Sequence, residues 1–268
     1  MESGLRFAAI DVGSNAIRLL FIRVIVKENE TPYFIKESLF RMPLRLGHDA
    51  FTIGMISKNN CNRFVSTIIG FKNLIDAYNP LLYRACATAA MRNAANGSEL
   101  VNKVERASGI KLDIISGQEE ASMILSKNIN QYLKTKKNYI HIDVGGGSTE
   151  LTIISKGRRI ISKSFSIGSV RLLENKVQES YWEVLHNWIR KNIKSFSFIK
   201  AIGSGGNINK IASMLGKNKG KTAHYNDIKQ LINKISSKNI EERITTLGLR
   251  PDRADVIIYA SKIYLKCM

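Results

Sequence analysis

Residues 139–154 read YIHIDVGGGSTELTII and carry the pattern from which the fold is predicted. An apolar run ends at Asp143, a turn of glycines and small hydroxyl residues follows, and a second apolar run begins at Leu151. Residues 7–20, FAAIDVGSNAIRLL, repeat the same order with Asp11 at the end of the first run. A strand–turn–strand unit that recurs so far along the chain predicts an internal duplication.

The segments that follow each strand pair repeat as well. In the first half these are a strand over residues 33–42, a helix over 57–78 that stops before Pro80, and a short buried strand over 81–86. In the second half the strands centre on Ile142, Leu151 and Ile160, followed by a helix over residues 181–194 and a strand over 199–202. A β-β-β-α-β-α order that occurs twice predicts a duplicated α/β fold.

The chemistry of the two turns points to anion binding. Glycines let a backbone approach a ligand closely, and successive turn amides donate hydrogen bonds to phosphate oxygens. Side chains in the turns add donors, namely Ser14, Asn15, Ser148 and Thr149. The Asp at the end of each first strand can hold a divalent cation near those oxygens. The alternative is a pair of ordinary glycine-rich hairpins in which Asp only favours the turn.

Composition restricts the class of protein. The chain has 268 residues, enough for two domains, with 44% hydrophobic and 24% charged residues. No apolar run approaches the roughly 18 residues that span a bilayer, and the N-terminus does not resemble a signal peptide. The three cysteines and four histidines are scattered. We therefore expect a cytoplasmic protein that has no membrane-spanning segment, no disulfide framework and no zinc site.

The net charge of +19 allows two interpretations. A basic surface attracts polyanions such as a phosphate chain, nucleic acid or anionic lipid. The alternative is that lysine has accumulated at exposed positions without a functional reason, as in the turn-like stretches 134–137 and 217–221. No aromatic-rich RNA-binding motif accompanies the charge, so no specific nucleic-acid partner is expected.

Four motifs in this order resemble the exopolyphosphatase/guanosine pentaphosphate phosphohydrolase (Ppx/GppA) family, which belongs to the sugar kinase–actin–heat-shock chaperone superfamily. They are DVGSN at 11–15, ISGQEEA at 115–121, IDVGGGSTEL at 142–151 and GSGG at 203–206. The resemblance covers nearly the whole chain. It implies two actin-like (ribonuclease H-like) lobes with a central cleft, which we place at residues 1–125 and 126–268. It also implies a short form without C-terminal domains, whose second lobe lacks a closing strand and helix after Met268.

The resemblance implies a role for each candidate site residue. Glu120 matches the family's general base, and Asp143 and Glu150 match residues associated with Mg²⁺ or another divalent cation. The residues that it implies for phosphate binding are Ser14, Asn15, Arg92, Gly145, Gly146, Gly147 and Ser148.

Each of these roles has a structural alternative. Glu119 is the chemical alternative to Glu120, because adjacent helix residues point about 100° apart and only one should face the site. Both carboxylates could also simply complement a helix dipole. Glu150 could face solvent, and Arg92 could be a surface arginine.

The implied function is metal-dependent removal of terminal orthophosphate from inorganic polyphosphate. The alternatives are the same reaction on guanosine pentaphosphate, a non-catalytic phosphate- or nucleotide-binding relative, and a kinase of the same superfamily. The expected partners are therefore polyphosphate or guanosine pentaphosphate, and a homodimer is an open expectation. Ala16 and Asn207 depart from the family pattern, in which a hydroxyl residue is frequent at both positions.

Overall fold

The computed structural model describes residues 4–128, 137–217 and 222–268. The backbone contacts divide the chain into a first unit, Met1–Ile115, and a second unit, Ser116–Met268. This division falls ten residues before the domain boundary that the sequence predicts at 125/126, because the helix Gly117–Asn128 packs on strands of the second unit. The lobe assignment itself stays a prediction.

The first unit contains a five-stranded sheet. Its strands are β1 (Leu5–Val12), β2 (Ile17–Ile25), β3 (Tyr33–Met42), β4 (Leu82–Ala87) and β5 (Asp113–Ile114), in the spatial order β3-β2-β1-β4-β5. The helices are α1 (Leu46–Thr52), α2 (Lys58–Tyr78), α3 (Ala89–Asn93) and α4 (Gly97–Ser108). β1 pairs antiparallel with β2, as the predicted strand–turn–strand unit requires, and parallel with β4.

The second unit repeats this arrangement. Its strands are β6 (Asn138–Val144), β7 (Thr149–Ser155), β8 (Arg158–Phe165) and β9 (Lys200–Ser204), in the order β8-β7-β6-β9. Its helices are α5 (Gly117–Asn128), α6 (Ser169–Leu173), α7 (Glu179–Ile193), α8 (Gly206–Met214), α9 (Tyr225–Ser236), α10 (Ile240–Thr245), α11 (Pro251–Ala254) and α12 (Val256–Cys267). The predicted duplicated α/β architecture is confirmed.

The duplication extends to the geometry of the two turns. The Gly13 amide donates to the Ala16 carbonyl at 3.1 Å, and the Gly145 amide donates to the Ser148 carbonyl at 2.9 Å. Each turn is therefore closed by a hydrogen bond between its first and fourth residues. The strand-end carboxylates Asp11 and Asp143 consequently occupy equivalent positions, one residue before the last residue of β1 and of β6.

Alternation along β6 separates the core side chains of the second unit from its strand-end carboxylate. Side chains alternate along a strand, so Ile140, Ile142 and Val144 point to one face of β6. They pack in a core with residues of α7 and α12, among them Trp182, Leu185, Ile189, Ala260, Ile263 and Tyr264. His141 and Asp143 point to the other face, so the alternation that builds the core also aims the strand-end carboxylate away from it.

Two helices begin with a serine cap, and the first of them confirms the predicted helix start at residue 57. The Ser57 side chain accepts a hydrogen bond from the Asn60 amide before α2, and the Ser116 hydroxyl accepts one from the Glu119 amide at 3.1 Å. Such caps satisfy amides that have no partner within the first helical turn. None of the helices in the described part of the chain combines the length and the apolar character needed to cross a membrane.

Candidate active site

Asp143 and Glu150 lie directly opposite each other where β6 and β7 meet the glycine turn. Residues paired in this way on an antiparallel sheet have Cβ atoms about 4.5–5.5 Å apart, and like charges in such a pair destabilise the sheet. The negative charge of two carboxylates at this position therefore has to be neutralised, either by a bound cation or by a proton.

Burial makes this compensation more important at Glu150. The residue is only 3% exposed, so the alternative of a solvent-facing Glu150 is wrong. Burial first, and then the charges of Glu120 and Asp143, raise the pKa of Glu150 to about 8. The Ser164 hydroxyl donates to Glu150 Oε1 at 2.8 Å, which stabilises the ionised form but does not offset the other effects.

Asp143 is held from the neighbouring strand. β9 runs parallel to β6 and brings Ser204 beside Asp143, where its hydroxyl donates to Asp143 Oδ2 at 2.6 Å. Gly205 follows with φ +106°, and a Cβ there would come within 3.2 Å of Asp143 Oδ1. Residues with a Cβ are strained at this φ, and a Cβ here would also crowd the carboxylate of Asp143. Glycine at this position therefore keeps the approach to the carboxylate open.

Helix α5 supplies the third carboxylate. Ser116 caps the helix and so fixes the direction in which its first turn points. α5 packs on β7 and β8, and Glu120 lies close enough to raise the pKa of Glu150. This proximity to Glu150 favours Glu120 as the residue that faces the cluster, while its role as general base stays a prediction.

The glycine turn presents its amides on one side. The carbonyls of Gly145 and Gly146 accept from the amides of Ser169 and Val170 at 3.0 and 2.8 Å. The carbonyl of Gly147 accepts from Arg171 Nε at 2.7 Å. In a trans peptide the N–H points opposite to the C=O, and none of the peptide bonds described is cis.

The amides of Gly146, Gly147 and Ser148 therefore point away from α6. Successive amides with this orientation form an anion-binding site. Gly168 is required for the arrangement, because a Cβ at this residue would lie 2.3 Å from the Gly146 carbonyl oxygen.

The donor set of the acidic cluster suits a hard divalent cation. Carboxylate oxygens are the ligands that Mg²⁺ prefers, and Mg²⁺ is usually held by one or two carboxylates together with water and phosphate oxygens. In the described residues, no group of three His, Cys, Asp or Glu side chains could hold a metal ion by itself. Asp143 and Glu150 thus fit a cation whose remaining ligands are water and phosphate, and not a closed protein cage.

The other predicted phosphate-binding residues belong to the first unit. Ser14 is buried, and its carbonyl accepts from the Gly47 amide at 2.8 Å, so the Asn15 amide points away from α1. The Asn15 side chain accepts from Arg45 Nε at 2.9 Å. Arg92 is half-buried and donates to the Ile115 carbonyl, which holds it near the carboxyl end of β4. Their roles in phosphate binding stay predictions.

Comparison with known proteins identifies the family. The sequence profile of the Ppx/GppA phosphatase family matches residues 24–268. The chain belongs to the Ppx/GppA phosphatase family. It is 28% identical to the bifunctional 3-dehydroquinate synthase/phosphatase of Fusobacterium nucleatum over 94% of this chain, but it spans only 41% of that relative.

Two further relatives extend the comparison. The chain is 24% identical to exopolyphosphatase 1 of Mycobacterium tuberculosis, with 95% of this chain and 78% of the relative covered. The structure is similar to that of the Aquifex aeolicus Ppx/GppA phosphatase (type II variant), with a TM-score of 0.69 and 26% identity over 98% of this chain and 91% of the other. The predicted family and its actin-like α/β fold are confirmed.

Sequence reasoning missed three side chains that support the site of this Ppx/GppA protein. Ser164 and Ser204 each hold one carboxylate of the cluster, and Arg171 holds the glycine turn. Of these three, only Ser204 could have been noticed in the sequence, because it lies in the glycine-rich stretch 203–206. The lysine-rich stretches 134–137 and 217–221 fall largely outside the described residues. Their role in attracting a polyanion therefore stays a prediction.

The raised pKa of Glu150 predicts how stability depends on pH. The folded state holds this proton up to about pH 8, whereas the unfolded chain releases it near the ordinary value of 4.5. Without metal, the free energy of unfolding should therefore fall as pH rises across this window, by up to about 1.4 kcal/mol per pH unit from this group. Denaturant unfolding at several pH values in a chelator measures the slope.

Glu150→Gln should flatten this slope, and Glu183→Gln, an exposed carboxylate on α7, should leave it unchanged. The same slope in wild type and in Glu150→Gln would contradict the assignment.

Proposed function

We propose that this chain is a phosphoanhydride hydrolase that removes terminal orthophosphate from inorganic polyphosphate with the help of Mg²⁺ or another divalent cation. The observation that carries the proposal is the arrangement in the second unit. Asp143 and Glu150 lie opposite each other beside a glycine turn whose amides point to one side, and Glu120 lies close enough to raise the pKa of Glu150. Such a site combines a base, ligands for a cation and donors for a phosphate group.

Each group has a distinct part in the proposed reaction. The amides of Gly146, Gly147 and Ser148 bind oxygens of the terminal phosphate and stabilise the charge that develops there. Glu120 accepts a proton from the water that attacks the phosphorus. The bond to the bridging oxygen breaks, and the shortened chain leaves with the bonding electron pair. The products are orthophosphate and a polyphosphate one unit shorter.

Asp143 and Glu150 would hold the cation. When bound, a divalent cation neutralises charge on the phosphate oxygens and orients them for in-line attack. The hydrogen bond from Ser204 fixes the orientation of Asp143, and the one from Ser164 does the same for Glu150. Both serines thereby favour the ionised carboxylates that a cation requires.

Two observations support polyphosphate as the substrate. One of the similar proteins is an exopolyphosphatase, and the net charge of +19 favours a long polyanion. The closest competing substrate is guanosine pentaphosphate, whose terminal phosphoanhydride bond would undergo the same reaction.

The two substrates can be separated by direct comparison. We expect orthophosphate release from polyphosphate in the presence of Mg²⁺, at a higher kcat/KM than from guanosine pentaphosphate at equal phosphate concentration. A continuous orthophosphate assay measures both. A preference for guanosine pentaphosphate would reverse the substrate assignment, and release from neither would favour a non-catalytic phosphate-binding protein.

Glu120→Gln tests the assignment of the base. General-base catalysis contributes about 10²–10⁴-fold, so kcat should fall by this order while phosphate binding persists. The amide has nearly the same shape as the carboxylate but does not accept the proton.

Glu119→Gln, on the adjacent residue of α5, is the matched control and should retain most of the activity. A large loss in Glu119→Gln with little loss in Glu120→Gln would move the base to Glu119.

A further inference from the structure

The side chain of Tyr264 joins the ends of two strands beside the acidic cluster. Tyr264 lies on α12 and is only 1% exposed. Its hydroxyl accepts a hydrogen bond from the Val144 amide at 3.3 Å and donates one to the Ser204 carbonyl. Val144 is the last residue of β6, and Ser204 is the last residue of β9. One hydroxyl therefore bridges the two strands at the end of the sheet where the carboxylate of Asp143 lies.

Ser204 connects this bridge to the cluster. β6 and β9 run parallel, and the last pair in their register is Asp143 with Ser204. The carbonyl of Ser204 accepts from Tyr264, while its hydroxyl donates to Asp143 Oδ2 at 2.6 Å. The position of the Ser204 backbone thus determines where its hydroxyl meets the carboxylate, and Tyr264 holds that backbone from the core.

The glycines on either side of Ser204 leave room for the tyrosine. A Cβ at Gly203 would lie 3.3 Å from Tyr264 Cε1, and a Cβ at Gly205 would lie 3.5 Å from the Tyr264 hydroxyl oxygen. The same Cβ at Gly205 would lie 3.2 Å from Asp143 Oδ1. The tyrosine, the end of β9 and the carboxylate therefore pack directly against one another.

The chemistry of Tyr264 suits a permanent donor. Burial first, and then the negative charge of Asp143, raise the pKa of Tyr264 well above its ordinary value of 10.0, so the hydroxyl stays protonated. The ring packs in the apolar core of the second unit, which a phenylalanine could fill without burying a polar group. A buried hydroxyl costs stability unless it is hydrogen-bonded. The strand ends that the hydroxyl joins account for a tyrosine at this position.

We propose that Tyr264 is a positioning residue for the cation that Asp143 and Glu150 would hold. It acts through Ser204, because fixing the end of β9 keeps the Ser204 hydroxyl on Asp143 and so fixes the orientation of the carboxylate. This inference rests on the proposed function, since the cation belongs to that reaction. Groups that hydrogen-bond to metal ligands orient them, and replacing such a group typically lowers metal affinity about 10- to 100-fold. The alternative is that Tyr264 only stabilises the core.

Cation affinity without turnover tests this role. Titration with Mn²⁺ in the presence of orthophosphate, followed by electron paramagnetic resonance, compares wild type with Ser204→Ala and Tyr264→Phe. We expect Ser204→Ala to weaken Mn²⁺ binding about 10- to 100-fold, and Tyr264→Phe about 10-fold. The control is Tyr259→Phe, the same change at a half-buried tyrosine of α12 whose ring lies beside Lys262, and it should bind Mn²⁺ as wild type does.

The double variant Tyr264→Phe/Ser204→Ala shows whether the tyrosine acts through the serine. If it does, the two losses are not additive in free energy, and the double variant binds Mn²⁺ about as weakly as Ser204→Ala alone. Thermal unfolding without metal is measured alongside, because a purely structural role would lower the unfolding temperature of Tyr264→Phe and leave its Mn²⁺ affinity unchanged. Unchanged affinity in Tyr264→Phe, or fully additive losses in the double variant, would overturn the proposal.

Failure of this inference and failure of the proposed function give different results. If wild type releases orthophosphate from polyphosphate and Tyr264→Phe binds Mn²⁺ as tightly as wild type, the positioning role is wrong and the function stands. If Mn²⁺ affinity depends on Tyr264 but wild type releases no orthophosphate, the positioning role stands and the hydrolase proposal is wrong. Absence of Mn²⁺ binding in wild type would overturn both the role of Tyr264 and the metal dependence of the proposed reaction.

Discussion

The repulsion between two carboxylates on opposite sides of a hairpin is the constraint on which the candidate site depends. Asp143 and Glu150 are forced together by the register of β6 and β7, and Glu150 is buried besides. Ionised carboxylates in such a place cost stability unless a cation or a proton compensates them. The fold nevertheless adds a third carboxylate, Glu120, close to them. An arrangement that is costly for folding and concentrated beside an anion-binding turn is typical of a functional site.

Duplication places side chains of opposite charge at equivalent positions of the two units. Each unit contributes the same strand, turn and strand, and each turn is braced by the segment after its third strand. At the equivalent position of the second strand, the first unit carries Arg18 and the second unit carries Glu150. The copies share their backbone geometry, but the side chains at this position differ in the sign of their charge.

Sequence patterns predicted the parts of this protein that depend on local physics. The bounds of β3, the helix over residues 57–78 and the repeated strand order follow from local periodicity and internal similarity. The glycine-rich stretch 203–206 marks Ser204, but its hydrogen bond to Asp143 spans 61 residues, so the sequence does not show which side chain it contacts. Contacts of this kind arise only when the strands are assembled.

The most direct test of the account is a count of bound cations. Mn²⁺ binding, followed by electron paramagnetic resonance with orthophosphate present, should show one ion in wild type. Asp11→Asn changes the equivalent carboxylate of the first unit and should retain that ion, whereas Asp143→Asn should lose most of it, because only the second turn has two opposed carboxylates. Equal binding in all three proteins, or loss in Asp11→Asn alone, would contradict the central claim.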